Sequence, residues 1–314
     1  MNPGESNAAV PVATAPSEQP YRWLIRLTEN YFLNAIGQIT QAIKCDLISS
    51  LLFLAIIRAN LELVPARARV LPDPDTLIED RDRQPVSVYG LAQTLSLPYE
   101  TVRRHIKRMV AAGLCEKTDR GIIVPAAVIT SPAVLTLIIN LASETRDYVG
   151  LMIEAGLDIP QAHVEPGWQA PGPVARLAAG YLLDSQQLLM GAVKIDFISG
   201  LIFLEINYLN TMHFSKDKSL ASAYSGLTAV LPNDQRRPVS VYQLARRLRL
   251  PYETCRRHVL KLQSVDLCER GATGKFIIPA RTVARSDIMA VTAAAGERAR
   301  QFAVDLAQLS PAGP

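Results

Sequence analysis

Residues 85–105 read PVSVYGLAQTLSLPYETVRRH and residues 238–258 read PVSVYQLARRLRLPYETCRRH; the first run differs from the second only at positions 90, 93, 94, 96 and 102. Sixteen identities in 21 positions are an internal repeat, and such self-similarity decides the architecture before any propensity is weighed. The match extends in both directions. Upstream, Arg26-Leu27, Tyr31 and Lys44-x-Asp46 return as Arg176-Leu177, Tyr181 and Lys194-x-Asp196. Downstream, Leu114-Cys115-Glu116 returns as Leu267-Cys268-Glu269, and Ile123-Val124-Pro125 as Ile277-Ile278-Pro279. The 314 residues therefore form a tandem duplication, with repeats over 21–156 and 173–310 joined by a Pro/Gly-rich linker over 157–172.

An apolar fraction of 49% with 20% charged residues suits a globular chain with a sizeable core. Residues 1–20 lack a basic start and an apolar run, so they read as a disordered tail and not a secretory leader. The four cysteines, Cys45, Cys115, Cys255 and Cys268, are widely spaced with no CxxC, which points to buried fillers and not to a disulfide scaffold or zinc module. A cytoplasmic protein is expected. Residues 121–143 carry no charge over 23 positions, long enough to span a membrane. Pro125 and Pro132 interrupt that run, however, and the matching stretch 276–296 contains Arg281, Arg285 and Asp287. Two copies of one fold should sit in one solvent, so a buried strand followed by a buried helix is the reading, with no membrane partner.

Each copy reads as mostly helical. Apolar residues recur at helical spacing from Tyr21 to about Leu63 (Leu24, Leu27, Tyr31, Ile39, Ile43), giving one kinked helix or two in succession, with Asp46 and Asp196 as N-caps at the break. After a polar, Pro-rich loop (72–84; 232–237), Ser87 and Ser240 cap a short helix, and Ser240 has capping-box spacing to Gln243. Pro98 and Glu100 suit the first turn of a second helix, whose apolar stripe is Val102, Ile106, Met109 and Val110 and whose end is Gly113. Residues 114–125 form a hairpin with Asp119-Arg120-Gly121 at its tip, and a long helix closes each copy, over 131–154 and 286–309.

The runs 87–125 and 240–279 resemble the winged helix-turn-helix of bacterial regulators of the MarR and ArsR type. The family's recognition helix, T-V-x-R-H-L-K-x-L-x-x-A-G-L, is matched by Thr101-Val102-Arg103-Arg104-His105-Ile106-Lys107, Met109 and Ala112-Gly113-Leu114. The second copy matches through Thr254-Cys255-Arg256-Arg257-His258-Val259 and Leu262, then departs, with Val265-Asp266 in place of Ala-Gly. Neither copy has the glycine common in the family's inter-helix turn; Ser96 and Arg249 stand there. The resemblance implies a mainly α fold with small β-wings: two tandem winged helix-turn-helix domains (about 81–127 and 234–281) flanked by long helices in a pseudo-twofold arrangement.

Charge is concentrated where such a fold would meet a polyanion. Residues 81–108 hold six Lys or Arg against two acids and residues 234–261 hold eight against two, while the whole chain carries only +4. The candidate DNA-contacting residues are Tyr99, Thr101, Arg103, Arg104, Lys107 and the hairpin-tip Arg120 in the first copy. In the second they are Arg246, Arg247, Arg249, Tyr252, Thr254, Arg256, Arg257, Lys261 and the hairpin residue Lys275. Arginine on an exposed helix face can donate two bonds to guanine O6 and N7 in the major groove, and Ser, Tyr and Lys near helix ends can hold phosphates. The same arginines would also serve as a plain solvated helix face, and Glu100 and Glu253 as first-turn dipole partners. His105 and His258 read as local packing or capping residues.

With no HExxH, GxSxG, clustered carboxylates or Gly-rich dinucleotide turn, the sequence argues against an enzyme and names no cofactor. The expectation is a sequence-specific double-stranded DNA-binding transcriptional regulator, one chain placing two recognition helices. The alternatives are a protein-interaction module of a chromosome-organising complex and a plasmid replication initiator. The sequence leaves a homodimer of the whole chain and any small-molecule effector open, and marks no convergent polar lining for a cavity between the long helices.

Overall fold

A computed structural model describes residues 19–62, 78–157, 171–214 and 217–309. The tail over 1–18, residues 63–77 of the first polar loop region and most of the linker, 158–170, lie outside the described residues. The first half runs α1 (Tyr21–Ile43), α2 (Leu47–Asn60), α3 (Val88–Thr94), α4 (Tyr99–Ala111), β1 (Glu116–Lys117), β2 (Ile122–Ile123), α5 (Ala126–Ile129) and α6 (Pro132–Glu154). The second runs α7 (Pro171–Val193), α8 (Phe197–Thr211), α9 (Lys218–Ala223), α10 (Val241–Leu248), α11 (Tyr252–Ser264), β3 (Glu269–Arg270), β4 (Phe276–Ile277), α12 (Ala280–Val283) and α13 (Ser286–Ala307). The fold is mainly helical with two small antiparallel sheets. Helix α7 starts inside the stretch read as linker, because a proline is accommodated in a first helical turn.

Two helices, not one kinked helix, open each half. Lys44 (φ 52°) and Lys194 (φ 53°) take the left-handed conformation, and Asp46 and Asp196 then cap the next helix by accepting the N–H of Ser49 and Ser199, both at 2.9 Å. The uncharged stretch 121–143 becomes β2, α5 and the first half of α6, and no helix among the described residues is long and apolar enough to cross a membrane.

The four long helices make the centre. Helix α1 packs against α6 and α13, and α7 against α13 and α6; α1 also touches α8, as α2 touches α7. Exchanging the two halves maps this set of contacts onto itself, which is the signature of a self-complementary interface. One ring from each long helix meets at the middle. Tyr31 stacks on Tyr148 at 4.5 Å and 1°, and its repeat-mate Tyr181 stacks on Phe302 at 4.3 Å and 4°. Such stacks add about 0.5–1.5 kcal/mol each beyond their burial. The buried phenols find partners: Tyr148 with Thr28 at 2.6 Å and with Tyr181 at 2.7 Å, and Tyr31 with Thr145 at 2.7 Å.

Each hairpin is tied to this frame by one buried asparagine. Asn60 donates to the carbonyls of Gln84 and Ile122 and accepts the Val124 N–H; Asn210 does the same with Arg237, Phe276 and Ile278. Val86 and Val239 add a bridge beside β2 and β4. At Gly121 (φ 150°) an added Cβ would lie 2.8 Å from the Val86 carbonyl oxygen, so only glycine lets that bridge close.

Candidate nucleic-acid interface

Helices α4 and α11 are held at fixed angles by three local devices. Ser87 and Ser240 cap the preceding helices, the latter through a complete capping box with Gln243. The turns into α4 and α11 pass through Ser96 (φ 49°) and Arg249 (φ 51°), the positions where the resembling family carries glycine. The apolar stripe is buried at Val102, Ile106 and Met109, and in the second copy at Cys255, Val259 and Leu262. Val110, read as part of that stripe, is instead exposed because it lies at the edge of the face, beside the basic side.

A polar clamp then locks each helix to the frame. His105 Nδ1 lies 3.0 Å from Ser49 Oγ and 3.2 Å from the Asp46 carboxylate, which also takes Arg108 at 3.1 Å. His258 meets Ser199 at 2.9 Å and Asp196 at 3.3 Å, with Lys261 at 2.7 Å in the place of the arginine. Burial alone would raise both carboxyls. Hydrogen bonds from His105 and Ser49 outweigh it and hold Asp46 far below its ordinary value; those from Lys261 and Ser199 take Asp196 down to about 2. Burial, reinforced by Arg257 and Lys261 and opposed by Asp196, lowers His258.

The opposite face of each helix points away from the protein. Tyr99, Arg103, Arg104 and Lys107 on α4, and Tyr252, Arg256 and Arg257 on α11, are exposed, with Thr101 and Thr254 half-buried beside them. Arg103 pairs with Glu100 and Arg256 with Glu253, both at 2.9 Å, so the two acids orient arginines one turn along. Arg104, Lys107 and Arg257, together with the hairpin residues Arg120 and Lys275, Arg246 of α10 and Arg249 of the following turn, are exposed and have no ion-pair partner among the described residues.

Burial redistributes the charge that the sequence places in these segments. Arg83 and Arg236, both counted in the basic footprint, are only 3% and 5% exposed and face inward. Arg247 reaches back to the fully buried Glu205 and lies 5.7 Å from the Tyr208 ring, while Lys261 is taken up by Asp196. The first copy has Ala55 and Thr94 where the second has Glu205 and Arg247, so the extra arginine of α10 brought its own buried acid. Sequence counting cannot see this, since it weighs every charge as solvated.

Two residues on this surface escaped the sequence reading. Tyr89 and Tyr242, at equivalent places in α3 and α10, are 64% and 66% exposed. Their signal was the retained V-Y pair directly after each capping serine. Comparison with protein-family models, with curated proteins and with solved structures returns no match.

Proposed function

We propose that this chain is a double-stranded DNA-binding transcriptional regulator in which two winged helix-turn-helix modules, fused in one polypeptide, do the work of two subunits. The observation that carries this reading is the pair of equivalent cationic faces, Arg103-Arg104 on α4 and Arg256-Arg257 on α11, both exposed and each backed by the same Asp–Ser–His clamp. Exposed tyrosines flank both faces, at 48% for Tyr99 and 49% for Tyr252, where a phenol can donate to phosphate. The reciprocal packing of the long helices supports a pseudo-twofold pair of readers, which suits half-sites about 34–36 Å apart.

The test is selection of genomic duplex fragments by the purified chain, followed by anisotropy titrations over a salt series. Replacing Arg256 and Arg257 with alanine should weaken binding and flatten the log K against log salt slope by about 2, since each neutralised phosphate contributes about 0.9. A duplex pool bound equally well by wild type and by the fourfold variant lacking Arg103, Arg104, Arg256 and Arg257 refutes the assignment.

A further inference from the structure

The fused halves enclose two cavities at positions exchanged by the repeat. One is lined by Phe53, Leu54, Ile57, Leu61 and Ala179; the other by their counterparts Phe203, Leu204, Asn207, Thr211 and Glu29. The first, with about 280 Å³ of space, is mainly hydrocarbon but keeps Arg83 and Arg176, the counterparts of Arg236 and Arg26, in its lining, with Arg58 beside them. The second, about 100 Å³, has the same two cations and adds Glu29, Asn207 and Thr211 where the first has Ala179, Ile57 and Leu61. Arg26 Nε, Arg236 Nη1, Gln186 Oε1 and Glu29 Oε2 all belong to residues of its lining, are buried, and have no hydrogen-bond partner among the described residues. Arg26 and Arg236 are only 7% and 5% exposed.

The repeat supplies an internal control for the cations. In the first half Arg83 donates to the Ile78 carbonyl at 3.0 Å and pairs with Asp80 at 3.1 Å. In the second, Arg236 keeps the equivalent carbonyl, Leu231, at 3.2 Å, but Asn233 stands in place of Asp80. Asn233 retains the other duty of that acid, accepting the Ala280 N–H at 2.7 Å as Asp80 accepts that of Ala126. Only the counter-charge has gone. Arg26 holds nothing better than the carbonyls of Tyr224 and Ala221 at 3.4 and 3.5 Å. Burial, then repulsion from Arg22 and Arg26, brings Arg236 down to about 10, and burial raises Glu29, an acid in the same lining, to about 8. A buried guanidinium without an anion is costly, and the ordinary remedy is a carboxylate.

We propose that this cavity binds a small aliphatic monocarboxylate, its carboxylate seated between Arg236 and Arg26 and its hydrocarbon body against Ile25, Phe203 and Val291. A hole of about 150 Å³ accepts benzene, so this one suits a chain of roughly four carbons. The site joins α1 of one half to α8, α13 and the loop before α10 of the other, so a ligand seated there touches both halves.

Calorimetric titration of the full chain at constant chloride, with butyrate, acetate and butyramide as probes, tests this without DNA, so it can fail independently of the functional proposal. Butyrate should bind one per chain, and both acetate (which lacks the body) and butyramide (which lacks the charge) should bind at least about tenfold more weakly. Asn233→Asp restores the first half's counter-ion while keeping the cap, and should cut butyrate affinity at least about tenfold with an unchanged circular dichroism spectrum. No saturable heat with butyrate, butyramide binding as tightly, acetate equalling butyrate, or N233D binding butyrate like wild type would each overturn the proposal.

Discussion

Glu29 is a carboxyl that burial pushes far above its ordinary value, and its neutralisation has a calculable consequence. It is buried in α1, accepts one hydrogen bond from Asn207 at 3.2 Å and has no partner for its second oxygen among the described residues. Burial, with a further push from Glu205 and against the pull of Asn207 and Arg26, moves it from 4.5 to about 8. Its folded pKa exceeds its unfolded one, so the stability it supports is complete below about pH 4.5 and is lost as pH rises toward 8. At pH 7 the unfolded chain has given up this proton while the folded chain keeps it, a penalty of about 2.5 pH units or about 3 kcal/mol. Glu29→Gln keeps the acceptor for Asn207 and removes the titration. Urea denaturation of both proteins at pH 4.5, 6, 7 and 8 should give curves that coincide at the acid end and separate by about 3 kcal/mol at pH 7, the variant being the more stable. A gap that does not change with pH, or a variant weaker at pH 7, refutes the reasoning.

Further outcomes follow from the same geometry. Ser96→Gly relieves a left-handed residue at the turn before α4 and should gain about 0.5 kcal/mol, read as a raised Tm. Replacing Arg247 alone with threonine strands the buried Glu205 and should cost about 3 kcal/mol. The double change Glu205→Ala with Arg247→Thr, which installs the first copy's pair, should recover to within about 1 kcal/mol of wild type in the same melts. Asp196 is held down to about 2, so its contribution is present above about pH 4 and lost as pH falls through 2. Asp196→Asn should therefore flatten the acid limb of stability by about 1 kcal/mol once solvent screening is allowed for, as acid titration of the melting temperature would show. Asn210→Leu leaves the Arg237 carbonyl and the Ile278 N–H without their side-chain partner, the Phe276 carbonyl keeping the Val239 N–H, and should cost about 3 kcal/mol, with loss of protected amides in β4 by hydrogen exchange.

Much of the local structure was legible because it is encoded locally. Helical periodicity, the capping residues Asp46, Ser87, Asp196 and Ser240, and the hairpin around Gly121 depend on neighbours within a few positions. The outward direction of Arg103, Arg104, Arg256 and Arg257 was legible too, since an apolar stripe on one side of a helix leaves the other side to solvent. The roles of Arg83, Arg236 and Arg247 were not. Nothing within ten residues of Arg247 announces Glu205, and the inward turn of Arg236 depends on helices from both ends of the chain.

By itself, the sequence determined that this protein is one unit written twice, because identity at constant offset needs no geometry to be seen, and it determined which helix of each unit carries the basic face. Tertiary structure alone decided which of those charges are available and what lies between the halves. Four rings from four helices converge at the centre, and two equivalent cavities have diverged until one holds arginines with no ion-pair partner among the described residues. The reason is that burial and pairing belong to residues distant along the chain: a charge's solvation is set by what packs over it, and packing exists only once the halves have met.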